Sequence, residues 1–177
     1  MRDYILCIIV FLTLLLAPSI GQSANCSKHP IYCHMLRVKP SIDKRFAMRL
    51  SNYIARYSKK HRTDPHVSVA IAMQESSLRN VMRKGVVSDE MGNLTYGLTD
   101  IGIFQLHVKT IQHFNINFER LLVDMEYQVK WHVLILKHKI KVCKKRLKKK
   151  EQATWACYHS YSRTRRARYQ TDVERYL

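Results

Sequence analysis

Hydrophobic residues recur at helical spacing along most of the chain. Phe46, Leu50 and Tyr53 follow one another at intervals of three and four residues, which predicts an amphipathic helix. Asp64 and Pro65 then supply the N-cap and first-turn chemistry of a second helix. The segment that follows, VSVAIAM, is apolar on nearly every face, and a helix of that kind is buried.

A stretch between residues 86 and 98 interrupts this helical pattern. It contains two short apolar segments on either side of a Gly-Asn turn, which predicts a small β-hairpin. Helical spacing resumes at Thr110 and again from Phe118. A last helix-and-turn region at 153–161 precedes a basic, aromatic tail. The pattern therefore predicts an α+β fold that is mostly helical.

The N-terminus has the composition of an export signal. An uncharged apolar run of 14 residues, from Tyr4 to Ala17, is followed by Pro18 and by small residues. A membrane-spanning helix needs about 20 apolar residues, so the run suits the core of a signal peptide. We predict that residues 1–24 are a signal peptide and that the protein is periplasmic or extracellular. An uncleaved N-terminal anchor is the alternative.

The rest of the chain divides into two parts. Residues 25–42 contain Pro30, Pro40 and little periodicity, which indicates an irregular N-terminal extension. Residues 43–177 carry the helical pattern and form the predicted folded domain. With 46% hydrophobic residues, the chain is able to bury a proper core.

Cysteine usage agrees with export. Cys7 lies in the apolar run, and the other four cysteines form an even set, which in an exported domain predicts two disulfides. Three connectivities are possible, and the simplest is the local pairing of Cys26 with Cys33 and of Cys143 with Cys157. Neither a Cys-x-x-Cys pair nor a His-Glu-x-x-His motif occurs, so we predict no metal site. We also expect no cofactor.

The net charge is strongly positive. The chain has 31 Lys and Arg residues against 13 Asp and Glu residues, for a formal charge of +18. Such an excess points to a polyanionic partner, which could be nucleic acid, an anionic membrane surface or an acidic wall polymer. The basic run at 137–150 is also readable as a solvated helix face. The export signal and the lack of a recognisable nucleic-acid motif argue against a specific nucleic-acid partner.

Glu75 is the strongest chemical signal in the sequence. It directly follows the apolar helix, and an apolar setting raises the pKa of a carboxyl group because burial disfavours the charged form. A carboxyl that keeps its proton near neutral pH can act as a general acid. Helical glutamates are usually solvated surface charges, so the interpretation of Glu75 depends on its neighbours.

These neighbours resemble a known family. The block DPHVSVAIAMQES at 64–76 resembles the helix ending in Glu-Ser of lysozyme-like soluble lytic transglycosylases, particularly the small periplasmic type that accompanies secretion systems and pili. The block TDIGIFQ at 99–105 is similar to their Asp-Ile-Gly-Leu-Met-Gln stretch and to the Thr-Asp-Tyr-Gly-Ile-Leu-Gln stretch of animal lysozymes. A weaker block, WACYHS at 155–160, stands where the family has Ala-Tyr-Asn followed by a small residue and Gly.

The resemblance implies a lysozyme-like catalytic domain at 43–177, with the hairpin beside an active-site cleft. Glu75 would be the catalytic acid and base in cleavage of the β-1,4 bond between N-acetylmuramic acid and N-acetylglucosamine, with 1,6-anhydro ring formation. The implied partners are peptidoglycan glycan strands and a secretion-system, pilus or phage assembly. The residues expected to bind substrate are Ser76, Asp100, Gly102, Phe104, Gln105, Tyr158 and His159.

Two other function classes stay open on the sequence. Asp100 is a candidate second carboxylate, and most retaining and inverting glycoside hydrolases use two, so a muramidase that hydrolyses the same bond with Glu75 and Asp100 is the first alternative. A non-enzymatic basic protein that binds nucleic acid or membranes is the second. For a wall enzyme, the run at 137–150 would attract anionic wall polymers or a membrane surface.

Overall fold

The computed structural model describes residues 26–88, 94–146, 153–160 and 162–177, and side chains are not described at 86–96 and at 146. The predicted signal peptide at 1–24, the tip of the predicted hairpin and the end of the basic run lie outside the described residues. No helix in the described ranges is long and apolar enough to cross a membrane.

The described chain is mostly helical, with one small antiparallel sheet. In chain order, the helices are α1 Pro30–Val38, α2 Lys44–His61, α3 Pro65–Ser76, α4 Val108–His113, α5 Phe118–Val123, α6 Met125–Arg146, a 3₁₀ helix Thr154–Tyr158 and α7 Arg163–Glu174. The strands are β1 Val81–Ser88, β2 Leu94–Gly102 and β3 Leu106–His107. Each strand pairs with the next one along the chain, in the order β1-β2-β3. The predicted mostly helical α+β class is confirmed, and β1 and β2 form the predicted hairpin, while the short strand β3 was not predicted.

Side-chain caps fix where the two predicted helices begin. The Asp43 carboxylate accepts a hydrogen bond from the Phe46 amide at 2.7 Å, and the Asp64 carboxylate accepts one from the His66 amide at 2.8 Å. Pro65 occupies the first turn of α3, where its missing N–H costs nothing. Ser77 ends α3 in the left-handed conformation, at φ 53°. Glu75 therefore lies in the last turn of α3.

The prediction of an irregular N-terminal extension is wrong over Pro30–Val38, which forms α1. Pro30 starts this helix, and Ile31 and Met35 lie on one face of it and are buried against α2 and α3. The hydrophobic face is only two turns long and includes the buried His34, which conceals its period in the sequence. The segment is therefore part of the main core.

Both local disulfides are present, as predicted. Cys26 and Cys33 join the start of α1 to the residues before it, with a Cα–Cα distance of 5.5 Å. Cys143 and Cys157 join the end of α6 to the 3₁₀ helix, with a Cα–Cα distance of 6.1 Å. Cys143 and Cys157 are 14 residues apart in the sequence, and closing a loop of that length stabilises a fold by roughly 3 kcal/mol. The Cys143–Cys157 disulfide also holds the 3₁₀ helix against α6.

Helix α3 lies between two parts of the core, as its apolar sequence predicts. Val69 and Ala72 pack with α1, α2 and α6, whereas Ala70 and Ile71 pack with α6, the 3₁₀ helix and α7. A third cluster joins the sheet to α4, α5 and α6. Because α6 contributes to all three clusters, it holds α3, the sheet and the 3₁₀ helix around one another. The C-terminal end of α3 lies beside the space between the sheet, α6 and the 3₁₀ helix.

Candidate active site

Glu75 lies in a cleft bounded by the sheet, α6 and the 3₁₀ helix. The cleft has a volume of about 330 Å³. Its lining residues are Glu75, Arg83, Asp100, Gln105, Leu106, His107, Thr110, Ile135, Lys139, Tyr158 and His159. Five residues predicted from the sequence meet in this cleft: Glu75, Asp100, Gln105, Tyr158 and His159.

The Glu75 carboxyl is partly buried and has one close side-chain partner. The Tyr169 hydroxyl donates a hydrogen bond to its Oε1 atom at 2.7 Å. Burial raises the pKa of Glu75 above its ordinary value; the Tyr169 hydrogen bond and the Arg83 charge oppose this shift, and the Asp100 charge adds to it. The carboxyl therefore keeps its proton to a higher pH than an exposed glutamate does.

Arg83 and Asp100 bring opposite charges to the cleft from neighbouring strands. They lie directly opposite each other in the β1–β2 register, so both side chains are on the same face of the sheet. The Arg83 guanidinium also donates a hydrogen bond to the Glu75 backbone carbonyl. The sheet is thereby attached to the end of α3, beside the carboxyl group.

Ser76, predicted to bind substrate, anchors α3 and is not among the residues that line the cleft. It is 3% exposed, and its hydroxyl donates to the Ile103 carbonyl at 2.7 Å. The Ser76 hydroxyl oxygen also accepts a hydrogen bond from the Arg79 backbone amide at 3.1 Å. Ser76 therefore fixes the end of α3 to the loop after β2 and so positions Glu75.

Gly102, predicted to contact substrate, has a structural role in the turn after β2. Its φ is +83°, a conformation that favours glycine, and a Cβ atom there would lie 2.6 Å from the Gln128 side-chain oxygen. That oxygen accepts a hydrogen bond from the Ile103 amide at 3.0 Å, and the Gln128 nitrogen donates to the Leu121 carbonyl at 2.8 Å. The glycine thus allows α6 to hold the turn after β2.

Phe104, predicted to bind substrate, is a core residue whose side chain is not among those that line the cleft. Its side chain is 1% exposed and stacks on the His132 ring, with 3.8 Å between the ring centroids. The turn at 102–105 directs Phe104 inward, against α6. Its backbone carbonyl still contributes to the site, because it accepts a hydrogen bond from the Tyr158 hydroxyl at 3.1 Å.

Gln105 lines the cleft, and its side chain is held by two backbone carbonyls. Its side-chain amide nitrogen donates to the backbone carbonyls of Val81 and Gly102, at 2.9 and 2.7 Å. Its side-chain oxygen is buried and accepts no hydrogen bond from any described residue. The backbone of Gln105 has a φ of 47°, an uncommon conformation for a residue with a side chain.

Tyr158 and His159 form the wall of the cleft opposite the sheet. Burial raises the pKa of Tyr158 well above its ordinary value, and the charges of Glu75 and Asp100 add to the shift, so the phenol stays neutral. The His159 ring stacks on the Tyr169 ring, with 4.8 Å between centroids. Burial, helped by the nearby Arg165, lowers the pKa of His159. His159 therefore packs on the residue that contacts the Glu75 carboxyl.

His132 supports this wall from within the core and was not singled out from the sequence. Its side chain is fully buried, and burial lowers its pKa to about 3. Its Nδ1 atom lies 3.2 Å from the Tyr158 hydroxyl, which itself donates to the Phe104 carbonyl. Nδ1 therefore carries the proton and donates to Tyr158, while Nε2 has no hydrogen-bond partner in the described part of the chain.

Tyr169 and Arg83 are the most important site residues that sequence reasoning missed. The tail that we predicted after 153–161 is helix α7, whose inward face carries Arg166, Tyr169 and Val173 at intervals of three and four residues. That spacing is a helical signal, although the many arginines conceal it. Arg83 carries no such signal, because its role depends on the pairing of β1 with β2.

The central cleft continues into a neighbouring section on each side. One section, about 440 Å³ in volume, shares Glu75, Arg83 and His159 with the cleft and adds Gln74, Arg165, Arg168, Tyr169 and Asp172. The other, about 270 Å³, shares Thr110 and Lys139 and is also lined by Lys109, His113, Phe114 and His138. We name the first the arginine section. We call the three adjoining sections together the groove, and Glu75 lines two of them.

The chemistry available in this groove is proton transfer by a shielded carboxyl group. The described residues contain no group of three or more His, Cys, Asp or Glu side chains that could hold a metal ion.

Comparison of the chain with protein-family models, with curated proteins and with solved structures finds no significant match.

Proposed function

We propose that this protein is an exported peptidoglycan lytic transglycosylase with a lysozyme-like fold, in which Glu75 is the catalytic acid and base. The observation that carries the proposal is the position of the Glu75 carboxyl, which lies at the end of a buried helix and within a groove. Burial raises its pKa, so it keeps a transferable proton to a higher pH than an exposed glutamate does, as a general acid requires. The four disulfide-bonded cysteines support export.

In the proposed reaction, one carboxyl group acts twice. Glu75 first protonates the glycosidic oxygen between N-acetylmuramic acid and N-acetylglucosamine, and the bond from that oxygen to C1 of the muramoyl sugar breaks. The 2-acetamido group of the same sugar stabilises the positive charge that develops at C1. The Glu75 carboxylate then accepts the proton of the C6 hydroxyl, whose oxygen bonds to C1 and closes the 1,6-anhydro ring. No water molecule is consumed.

The other cleft residues have positioning roles in this scheme. Gln105 lines the cleft, and no described residue donates to its buried side-chain oxygen, so a shift of this side chain into the cleft would let the oxygen accept the N–H of an acetamido group. Tyr169 orients the Glu75 carboxyl through its hydrogen bond of 2.7 Å. Ser76 and Arg83 hold the end of α3 against the loop after β2 and against β1.

Basic residues outside the groove support a polyanionic surface as the working environment. On the described part of the 137–150 run, the exposed lysines of α6 are Lys137, Lys141, Lys144 and Lys145. They would attract anionic wall polymers or lipid head groups and hold the enzyme near its substrate. A role beside a secretion system, a pilus or a phage assembly is part of the same proposal.

A muramidase that hydrolyses the same bond is the second candidate. The observation in its favour is that Asp100 lines the same cleft as Glu75 and that its charge acts on the Glu75 carboxyl. In that mechanism Asp100 would be a nucleophile or would activate water. Arg83 lies opposite Asp100 in the sheet. Asp100 could therefore have a non-catalytic role, in which its negative charge balances the positive charge of Arg83.

Replacing Asp100 with Asn distinguishes these two candidates. We expect Asp100→Asn to keep most of its activity on purified sacculi, because a single carboxyl suffices for anhydro ring formation. Removal of the Asp100 charge lowers the pKa of Glu75 slightly, so the alkaline limb of the pH–rate profile should move to lower pH. The measurement is release of soluble muropeptides as a function of pH. A loss of about 10²–10⁴-fold would instead support a catalytic second carboxylate.

Replacing Tyr169 with Phe tests the contact that orients the acid. The hydrogen bond from Tyr169 favours the ionised form of Glu75, so its loss should raise the pKa of Glu75 and move the alkaline limb of kcat/KM to higher pH. We also expect a rate loss of roughly tenfold from the lost orientation. A lower rate with an unchanged pH profile would assign Tyr169 a packing role only.

A further inference from the structure

The arginine section contains more positive than negative side chains. Arg165 and Arg168 are exposed and lie three residues apart on α7, so they project from the same face of the helix. Arg83 adds a third guanidinium group from β1. Two carboxyl groups belong to the described residues of this section: Glu75 is the proposed acid, and Asp172 lies 3.5 Å from Arg175 in an ion pair.

Guanidinium groups favour a particular class of ligand. The planar fork of arginine matches the two oxygens of a carboxylate or a phosphate, whereas lysine offers only a compact charge. Among the described residues of this section, the three cationic groups with fixed charge are all arginines. The section is therefore suited to bind planar or tetrahedral anions that lie next to the bond to be cleaved.

The volume of the arginine section and its position beside the central cleft indicate which part of a glycan strand would carry the bound anion. Its volume of about 440 Å³ exceeds that of the central cleft, and the two meet at Glu75, Arg83 and His159. In an intact glycan strand, the lactyl carboxyl group of the muramoyl sugar is bonded to a peptide through an amide. The free carboxylates next to the cleavage point are therefore those of the stem peptide.

We propose that Arg165 and Arg168 bind carboxylates of the stem peptide, so that the substrate is a peptide-bearing glycan strand and not a denuded one. This inference rests on the proposed function. It assigns substrate selection to side chains that do not contact the Glu75 carboxyl. A phosphate group of a secondary wall polymer has related chemistry, and the experiment separates the two sources.

The experiment compares four soluble substrates made from uncrosslinked strands. The first carries native stem peptides, and the second carries the same peptides with carboxylates converted to amides by carbodiimide and ammonia. The third is stripped of peptides by an amidase, and the fourth is a stripped strand that retains phosphate-containing wall polymer. We expect native strands to be cleaved at least about tenfold faster, in kcat/KM, than the other three.

The double variant Arg165→Gln/Arg168→Gln should lose this preference. Its rate on native strands should fall to its own rate on amidated strands, so that the ratio of the two rates falls to about one. The matched control is Arg45→Gln/Arg49→Gln, which removes two exposed charges from α2, outside the groove. We expect this control to keep the full preference, which separates specific binding from general charge attraction.

The outcomes distinguish the inference from the function on which it rests. Equal rates of the wild type on all four strands, or an equal loss in the control variant, would overturn the stem-peptide site and leave the transglycosylase intact. Faster cleavage of the phosphate-bearing strand than of the native one would also overturn it. Failure of the wild type to cleave any strand would overturn the proposed function, and this inference with it.

Discussion

Glu75→Gln should lower the rate of glycan cleavage by about 10²–10⁴-fold, which is the usual contribution of a general acid. Glutamine has nearly the same shape and can accept the Tyr169 hydrogen bond, but it cannot donate and then retrieve a proton. The fold and the binding to sacculi should be retained. The measurement is release of soluble muropeptides from purified sacculi, with circular dichroism and a sedimentation assay for folding and binding.

The matched control is Glu119→Gln, which removes the same charge from an exposed position in the first turn of α5. We expect this control to keep full activity. If Glu75→Gln keeps the wild-type rate, Glu75 is not the acid. If that variant also permeabilises cells as well as the wild type does, a membrane-active basic protein explains the activity better than an enzyme does.

Glu75→Gln should also be more stable than the wild type at neutral pH. Burial raises the pKa of Glu75 in the folded chain above its ordinary value of 4.5, so ionisation favours unfolding. Stability from this group is present below pH 4.5 and is lost as the pH rises through the folded pKa. The gain in the free energy of unfolding should therefore disappear on acidification to pH 4.

Acidification should destabilise the protein through His132, and His132→Gln should remove most of that effect. Burial lowers the pKa of His132 from 6.5 to about 3, so below pH 6.5 a proton binds to the unfolded chain but not to the folded one. Stability is therefore lost as the pH falls from 6.5 towards 3. Between pH 6.5 and 4.5 we expect a loss of roughly 2–3 kcal/mol relative to the variant.

Denaturant unfolding at several pH values measures this slope. Loss of the stacking on Phe104 will lower the stability of His132→Gln at every pH, so the test is the slope and not the absolute value. The control is His138→Gln, because His138 is exposed on the same helix. Burial also lowers the pKa of His34, so a smaller slope of the same sign should remain. Parallel curves for His132→Gln and the wild type would contradict a buried, neutral His132.

Elements with a strong local signal were predictable from the sequence. The N-cap Asp64, the first-turn Pro65 and the apolar residues after them predict both the limits of α3 and its burial, and so the position of Glu75. The two disulfides were predictable because short loops favour local pairing. In each case, the interactions that determine the element come from residues close together in the sequence.

Elements whose role depends on distant contacts were not predictable. Ser76 and Phe104 belong to the blocks that carry the family resemblance, yet the turn after β2 directs Phe104 into the core and binds the Ser76 hydroxyl. Arg83 and Tyr169 reach Glu75 only because β1 pairs with β2 and because α7 packs on α3. A composition dominated by arginine conceals the short hydrophobic face of α7.

Mass spectrometry of fragments released from purified sacculi, in water enriched in heavy oxygen, tests the single-carboxyl mechanism most directly. We expect 1,6-anhydromuramoyl ends without the heavy isotope, because the C6 hydroxyl and not water bonds to C1. Reducing ends that contain the heavy isotope would contradict this mechanism and would identify hydrolysis. If no fragment is released, the protein does not cleave glycan strands.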